Sequence, residues 1–296
     1  MTIKHLVLPG GGPNLPILYG VFKKLHLENV WKIENIQSIQ ATSCGTIIAV
    51  ILLLIKIGMT FDDIDDYLIN RPWHLSYSLT PEMLLAAYSK KGFIDESHFL
   101  KGLLPLFAAS NIERTITLKQ LYDITNIDFY LYTTNFTEMK PVTLNHYTHP
   151  DFTLLDAIYV SSTLPLVVQP KCIDGVLYID GAIFSNNPVQ NALDTGINES
   201  EVLGCRLSFP NNEKSAITNE SNIFDYFCQL LTKLAGQCDK GSTFFGGPPN
   251  IPHLVELEFE SVLNSEYWTN LLGDKDFRKD LIETGSNFAV KYLETR

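Results

Sequence analysis

The spacing of apolar positions changes repeatedly over the first sixty residues, and each change marks an element. Lys4 to Leu8 reads as a short strand that Pro9-Gly10-Gly11-Gly12-Pro13 ends. From Ile17 to Leu27, Leu18, Val21, Phe22 and Leu25 recur at helical spacing, which predicts a helix after the glycines. Ile36 to Gln40 reads as a second strand, followed by a small-residue turn and an apolar helix from Thr46 to Ile57 that Gly58 closes. That helix is too short to span a bilayer, which takes roughly twenty apolar residues. Strand, glycines, helix, strand, turn and helix predict an α/β fold. Its core is a central, mostly parallel sheet with helices on both faces, a three-layer α/β/α arrangement.

Beyond Thr60 the pattern turns helical. Pro81 to Tyr88, Glu96 to Ala109 and Leu118 to Ile124 predict a helical insertion over about 60–125, expected to cap the sheet's carboxyl edge. Strands follow at Asp128 to Asn135, Lys140 to Leu144, Val176 to Ile179, Glu201 to Leu207 and His253 to Phe259. Helices are expected at Leu154 to Tyr159, Val189 to Thr195, Ile223 to Leu234 and Phe277 to Leu293, with Asn211 to Asn222 a polar loop. No repeat or linker interrupts the pattern. One domain is expected over 1–296, its part 196–296 completing the sheet and helices.

Composition narrows the function. With 45% hydrophobic and 19% charged residues the chain can bury a core, and its net charge of −11 excludes the basic face of a nucleic-acid binder. The same charge opposes purely electrostatic docking on anionic membranes. Five scattered cysteines and a start that enters a strand directly predict a soluble intracellular protein with reduced thiols. Asp62, Asp63, Asp65 and Asp66 match no calcium loop and read as a solvated helix front, so no metal is expected.

Three places carry candidate chemistry. Ser43, in Ala41-Thr42-Ser43-Cys44-Gly45, sits where a strand turns into a helix. There a serine either caps the helix or, as in a Gly-x-Ser-x-Gly elbow, presents its hydroxyl as a nucleophile. Gly10, Gly11 and Gly12 lie between a strand and a helix. Leu15 breaks the dinucleotide spacing and no Gly-Lys-Ser/Thr follows, which leaves a tight turn or an oxyanion hole of backbone donors. Asp180 ends a strand before Gly181, either as an ordinary turn or as a carboxylate at the sheet edge where α/β sites lie.

Taken in order, these blocks resemble the patatin-like phospholipase family. Leu8-Pro9-Gly10-Gly11-Gly12 with Gly20-Val21 looks like its oxyanion block, and the Ser43 turn looks like its elbow. Ser161-Ser162-Thr163-Leu164-Pro165 resembles its small-residue segment before proline, and Asp180-Gly181-Ala182 with Asn186-Asn187-Pro188 its Asp-Gly-Gly/Ala block. The blocks span about 5–195. The resemblance implies lipid acyl hydrolysis of the phospholipase A or lysophospholipase type, through a Ser43–Asp180 dyad and an acyl-enzyme. It implies Gly10, Gly11, Gly12 and the Cys44 N–H as oxyanion donors, phospholipid or lysophospholipid as substrate, transient membrane contact and no cofactor.

Two alternatives stay open. An α/β-hydrolase order of Ser, Asp, His is met by Ser43, Asp180 and His253 alone. Asn14 stands where the family often carries Arg or Lys, Leu15 where glycine is frequent, and Ala41 where the elbow's first glycine falls. These departures leave room for a relative that binds lipid or a protein partner without turnover. Phe244-Phe245, in a Gly/Pro-rich loop, either contact lipid or pack inward.

Overall fold

The computed structural model describes residues 2–77, 80–208, 217–219, 221–223, 225–227, 229–230, 233, 249–258 and 264–296. Its strands are β1 (His5–Leu8), β2 (Ser38–Thr42), β3 (Gly92–Ile94), β4 (Asp128–Asn135), β5 (Lys140–Leu144), β6 (Leu166–Val168), β7 (Lys171–Ile173), β8 (Val176–Asp180), β9 (Val202–Ser208) and β10 (His253–Glu258). The main sheet runs β10-β9-β1-β2-β4-β8-β7, with β5 also on β4, and β3 with β6 forms a separate parallel pair. From β10 to β4 every pairing is parallel, whereas β8, β7 and β5 join antiparallel. Every residue of β1 and β2 is buried, as central parallel strands covered on both faces require.

Helix α1 (Leu15–Leu27) leaves the glycine turn and α2 (Cys44–Lys56) leaves β2. The small-residue turn expected over Ala41 to Gly45 shrinks to one residue. Ala41 and Thr42 stay in register with Leu131 and Tyr132 of β4, and the helix already begins at Cys44. Thr60 caps the next helix, its hydroxyl and Asp63 forming a reciprocal pair. The helix expected over Glu96 to Ala109 splits into Glu96–Leu100 and Leu104–Ala109. Gly102 interrupts it and Pro105 can open a helix but not continue one. Among the described residues, the insertion's polar contacts include Tyr19 of α1 donating to Asp65, Lys171 pairing with Glu96, and Arg278 donating to the Ile69 and Arg71 carbonyls. The expected helix Ile223 to Leu234 is described only in part, helical at each described position, and Phe244-Phe245 lie outside the described residues. Among the described residues no helix is long and apolar enough to cross a membrane.

The C-terminal helix Lys275–Glu294 lies against α1 at unusually close range. A Cβ on Gly20 would stand 2.2 Å from the Ile282 carbonyl oxygen, and one on Gly285 2.0 Å from that of Ile17. Two facing glycines therefore let the backbones touch. The crossing seats α1, and with it the glycine turn at its amino end. Gly20→Ala or Gly285→Ala has no flexible neighbour to displace and should cost roughly 1–3 kcal/mol or more. Urea unfolding should show the midpoint falling for each; unchanged midpoints would mean that the helices separate freely.

Candidate active site

β4 carries β2 and β8 on the same edge, one after the other. β2 takes Asp128 to Tyr132 in parallel register, and β8 takes Thr133 to Asn135 running the opposite way. β5 occupies the other edge. The carboxyl ends of β2 and β8 therefore meet head to head: Thr42 is level with Tyr132 and Asp180 with Thr133. Ser43 and Asp180, far apart in sequence, are brought together by that register. Ser43 Oγ donates to Asp180 Oδ2 at 2.7 Å, and Asp180 Oδ1 accepts the Ala182 N–H at 2.8 Å.

Ser43 has φ 53° and ψ −128°, a backbone that few L-residues adopt. Its hydroxyl caps no helix donor, so the reading of Ser43 as a side-chain N-cap does not describe it. Gly45 follows because a Cβ there would stand 2.4 Å from the Leu8 carbonyl oxygen, and Gly181 because one would stand 2.1 Å from that of Tyr132. Ala41 needs no glycine: it is a buried residue of β2 with ordinary negative φ.

Asp180 is fully buried, and the loss of solvent raises its carboxyl to about 6 against the pull of the Ala182 N–H and the Ser43 hydroxyl. Such a carboxyl is ionised at neutral pH and still close enough in pKa to exchange a proton. Burial also pushes the Cys44 thiol up to about 12, so it is neutral and no rival nucleophile.

The glycine turn lies beside Ser43, with Gly10 backed by the Ser43 Cβ and the Asn186 side chain. Gly10 N–H donates to the Asn186 carbonyl at 2.9 Å, and Gly11 N–H to Cys44 Sγ at 3.1 Å. Gly12, at φ 53°, also turns its N–H toward that thiol. Sequence reasoning gave the Cys44 backbone a role and its side chain none. Asn14, in the place of a family cation, is buried and accepts the Tyr267 hydroxyl at 3.0 Å.

His253 is elsewhere. It begins β10 level with Leu203, and Leu203 with Leu6, at the amino end of the sheet away from Ser43. There its ring meets Tyr292 and Arg296. The Ser43–Asp180–His253 triad is thus ruled out by register. Among the described residues no group of His, Cys, Asp and Glu could hold a metal ion.

Comparison with known proteins agrees with this architecture. A sequence model of the family described as patatin-like phospholipase matches residues 6–193, and the chain belongs to that family. It is 26% identical over 190 residues to a protein described as probable lipid hydrolase 463L of Invertebrate iridescent virus 6. The match takes in 64% of this chain and 63% of that relative, so the chain spans less than two thirds of its relative's length. Among solved structures it is similar to VipD from Legionella pneumophila, with TM-score 0.51 and 16% identity over 96% of this chain and 67% of that one. It is also similar to the type III effector ExoU of Pseudomonas aeruginosa, with TM-score 0.48 and 13% identity over 100% of this chain and 53% of that one. At such identity the VipD likeness speaks for the fold alone. That fold is the expected one, a mostly parallel sheet flanked by helices.

The raised Asp180 carboxyl has a stability consequence with a definite sign. Its folded pKa of about 6 lies above the ordinary 3.8, so the folded state holds the proton more tightly. Stability from this group is then present at low pH and lost as pH rises through 3.8 to about 6. Asp180→Asn removes that loss. Denaturant unfolding at pH 4.5 and 7.5 should show the variant gaining on the wild type by roughly 2 kcal/mol at the higher pH. A constant difference would mean that Asp180 titrates normally.

Proposed function

We propose that the chain is a lipid acyl hydrolase of phospholipase A or lysophospholipase type, acting through a Ser43–Asp180 dyad. One observation carries the reading: the buried hydrogen bond from the Ser43 hydroxyl to a carboxylate tuned close to neutrality. Asp180 takes the Ser43 proton as Oγ bonds to the ester carbonyl carbon, whose oxygen becomes an oxyanion. The oxyanion is met by the Gly11 and Gly12 N–H groups and by the Cys44 N–H at the start of α2. A thiol is a weak acceptor, so a full negative charge displaces it from Gly11 readily. Collapse breaks the ester C–O bond, and the leaving alcohol takes the proton from Asp180. Water, deprotonated by Asp180, then adds to the acyl carbonyl; the C–Oγ bond breaks, Ser43 Oγ takes the proton back from Asp180, and the fatty acid leaves.

Substrate follows family and relative: glycerolipid acyl esters, phospholipid or lysophospholipid, with transient contact at a membrane surface. An intracellular, reducing setting accords with the free thiols Cys44, Cys172 and Cys205. A second reading, a lipid-binding relative without turnover, draws on one fact. The Gly10 and Gly11 N–H groups already have partners at rest.

A fluorophosphonate probe separates the two. Wild type and His253→Ala should label at Ser43, whereas Ser43→Ala should not and Asp180→Asn should lose at least about 100-fold in rate. Folded wild type that stays unlabelled would favour the binding protein, and equal labelling of Asp180→Asn would remove Asp180 from the chemistry.

A further inference from the structure

The strained backbone of Ser43 persists only if its surroundings hold it. Its N–H is buried and would cost free energy if left unpaired. The partner is Ser161, the last residue of the helix Leu154–Ser161, fully buried and drawn from the small-residue segment to which the proposed chemistry gives no part. Ser161 Oγ accepts the Ser43 N–H at 3.1 Å and donates to the Tyr132 carbonyl at 2.6 Å. The Ser161 carbonyl accepts the Gly181 N–H at 3.4 Å. Two residues on, the Thr163 carbonyl accepts the Asp180 N–H at 2.9 Å.

These bonds converge on one place. Tyr132 is the last β4 residue paired with β2, Ser43 follows the end of β2, and Gly181 follows the end of β8. Neither strand is bonded to the other across that gap by a ladder of its own, since both end there. The hydroxyl of Ser161 suits the gap because it accepts and donates at once. Alanine can do neither, and cysteine does both weakly.

We propose that Ser161 is a positioning residue: it holds Ser43 and Gly181 to one another across the β2–β8 junction and so sets the Ser43–Asp180 hydrogen bond. The proposal rests on Ser43 being the nucleophile. It also gives the segment before Pro165 a task in the reaction rather than in packing alone.

The test compares Ser161→Ala, Ser161→Cys and Ser162→Ala with the wild type. Ser162 is the control: among the described residues its hydroxyl meets Thr46 at 3.5 Å and neither Ser43 nor Asp180 directly, and the bond from Thr46 to the Ser43 carbonyl at 2.6 Å stays in place without it. For each protein one measures thermal melting, the fluorophosphonate labelling rate at Ser43 per folded molecule, and hydrolysis of a short-chain p-nitrophenyl ester across pH. Ser161→Ala should lose roughly 10- to 100-fold in labelling rate and kcat with KM within about 2-fold. Its acid limb should move to higher pH, because the Ser43 hydroxyl that lowers the Asp180 carboxyl is held less well. Ser161→Cys should recover part of the rate, and Ser162→Ala should match the wild type. If Ser161→Ala fails to melt cooperatively, Ser161→Cys carries the comparison with an intermediate rate expected. A folded Ser161 variant with wild-type rate and pH profile would overturn the positioning role and leave Ser43 as nucleophile untouched. Wild type that neither labels nor turns over would overturn both.

Discussion

Two strands cannot occupy the same stretch of one edge of a third. β4 gives its first residues to β2 and its next to β8, so the two must stop where they meet. From that constraint follow the head-to-head ends, the single-residue turn at Ser43 and the contact between hydroxyl and carboxylate. Small residues at Gly45 and Gly181 let the chain leave the crowded junction, each because a backbone carbonyl fills the space a side chain would need.

The junction is also where the fold is least comfortable. It holds a buried carboxyl that loses its solvent and a serine in a sparsely populated conformation, both of which work against stability. What opposes them lies close by: hydrogen bonds from Thr42 to the Ser185 carbonyl, from Thr134 to the Asp180 carbonyl and from Ser161 to the Tyr132 carbonyl. In the proposed reaction, polar groups of this kind would hold Ser43 and Asp180 in place ahead of substrate binding, which is how preorganised sites lower a barrier. Further out, the Gly20–Gly285 crossing fixes α1 and the glycine turn against the same edge.

Long, periodic elements are legible in the amino-acid sequence. β4, α1 and the C-terminal helix carry enough residues for a period to show, and the order of glycines, serine and aspartate points to one edge. β3, β6 and β7, at three residues each, are shorter than any period can register. The reversal of β8 is invisible for a different reason. Direction is decided by how the chain returns to β4, and no local pattern encodes that. Ser43 and Asp180 can therefore be named from their settings but joined only through the family resemblance, and His253 is set aside only by the register that puts it at the sheet's far end. The contacts of the Cys44 thiol with Gly11 and of the Ser161 hydroxyl with Ser43 are pairings that no sequence pattern encodes.

The proposed chemistry requires that Ser43 become covalently acylated during turnover. Acid-quenching the wild type within the first turnovers of a lysophospholipid, then mapping peptides by mass, reads that directly. One fatty-acyl mass is expected on the peptide carrying Ser43, absent from Ser43→Ala, which should not hydrolyse the lipid. Hydrolysis that persists in Ser43→Ala, or an acyl group found on another residue, would contradict it.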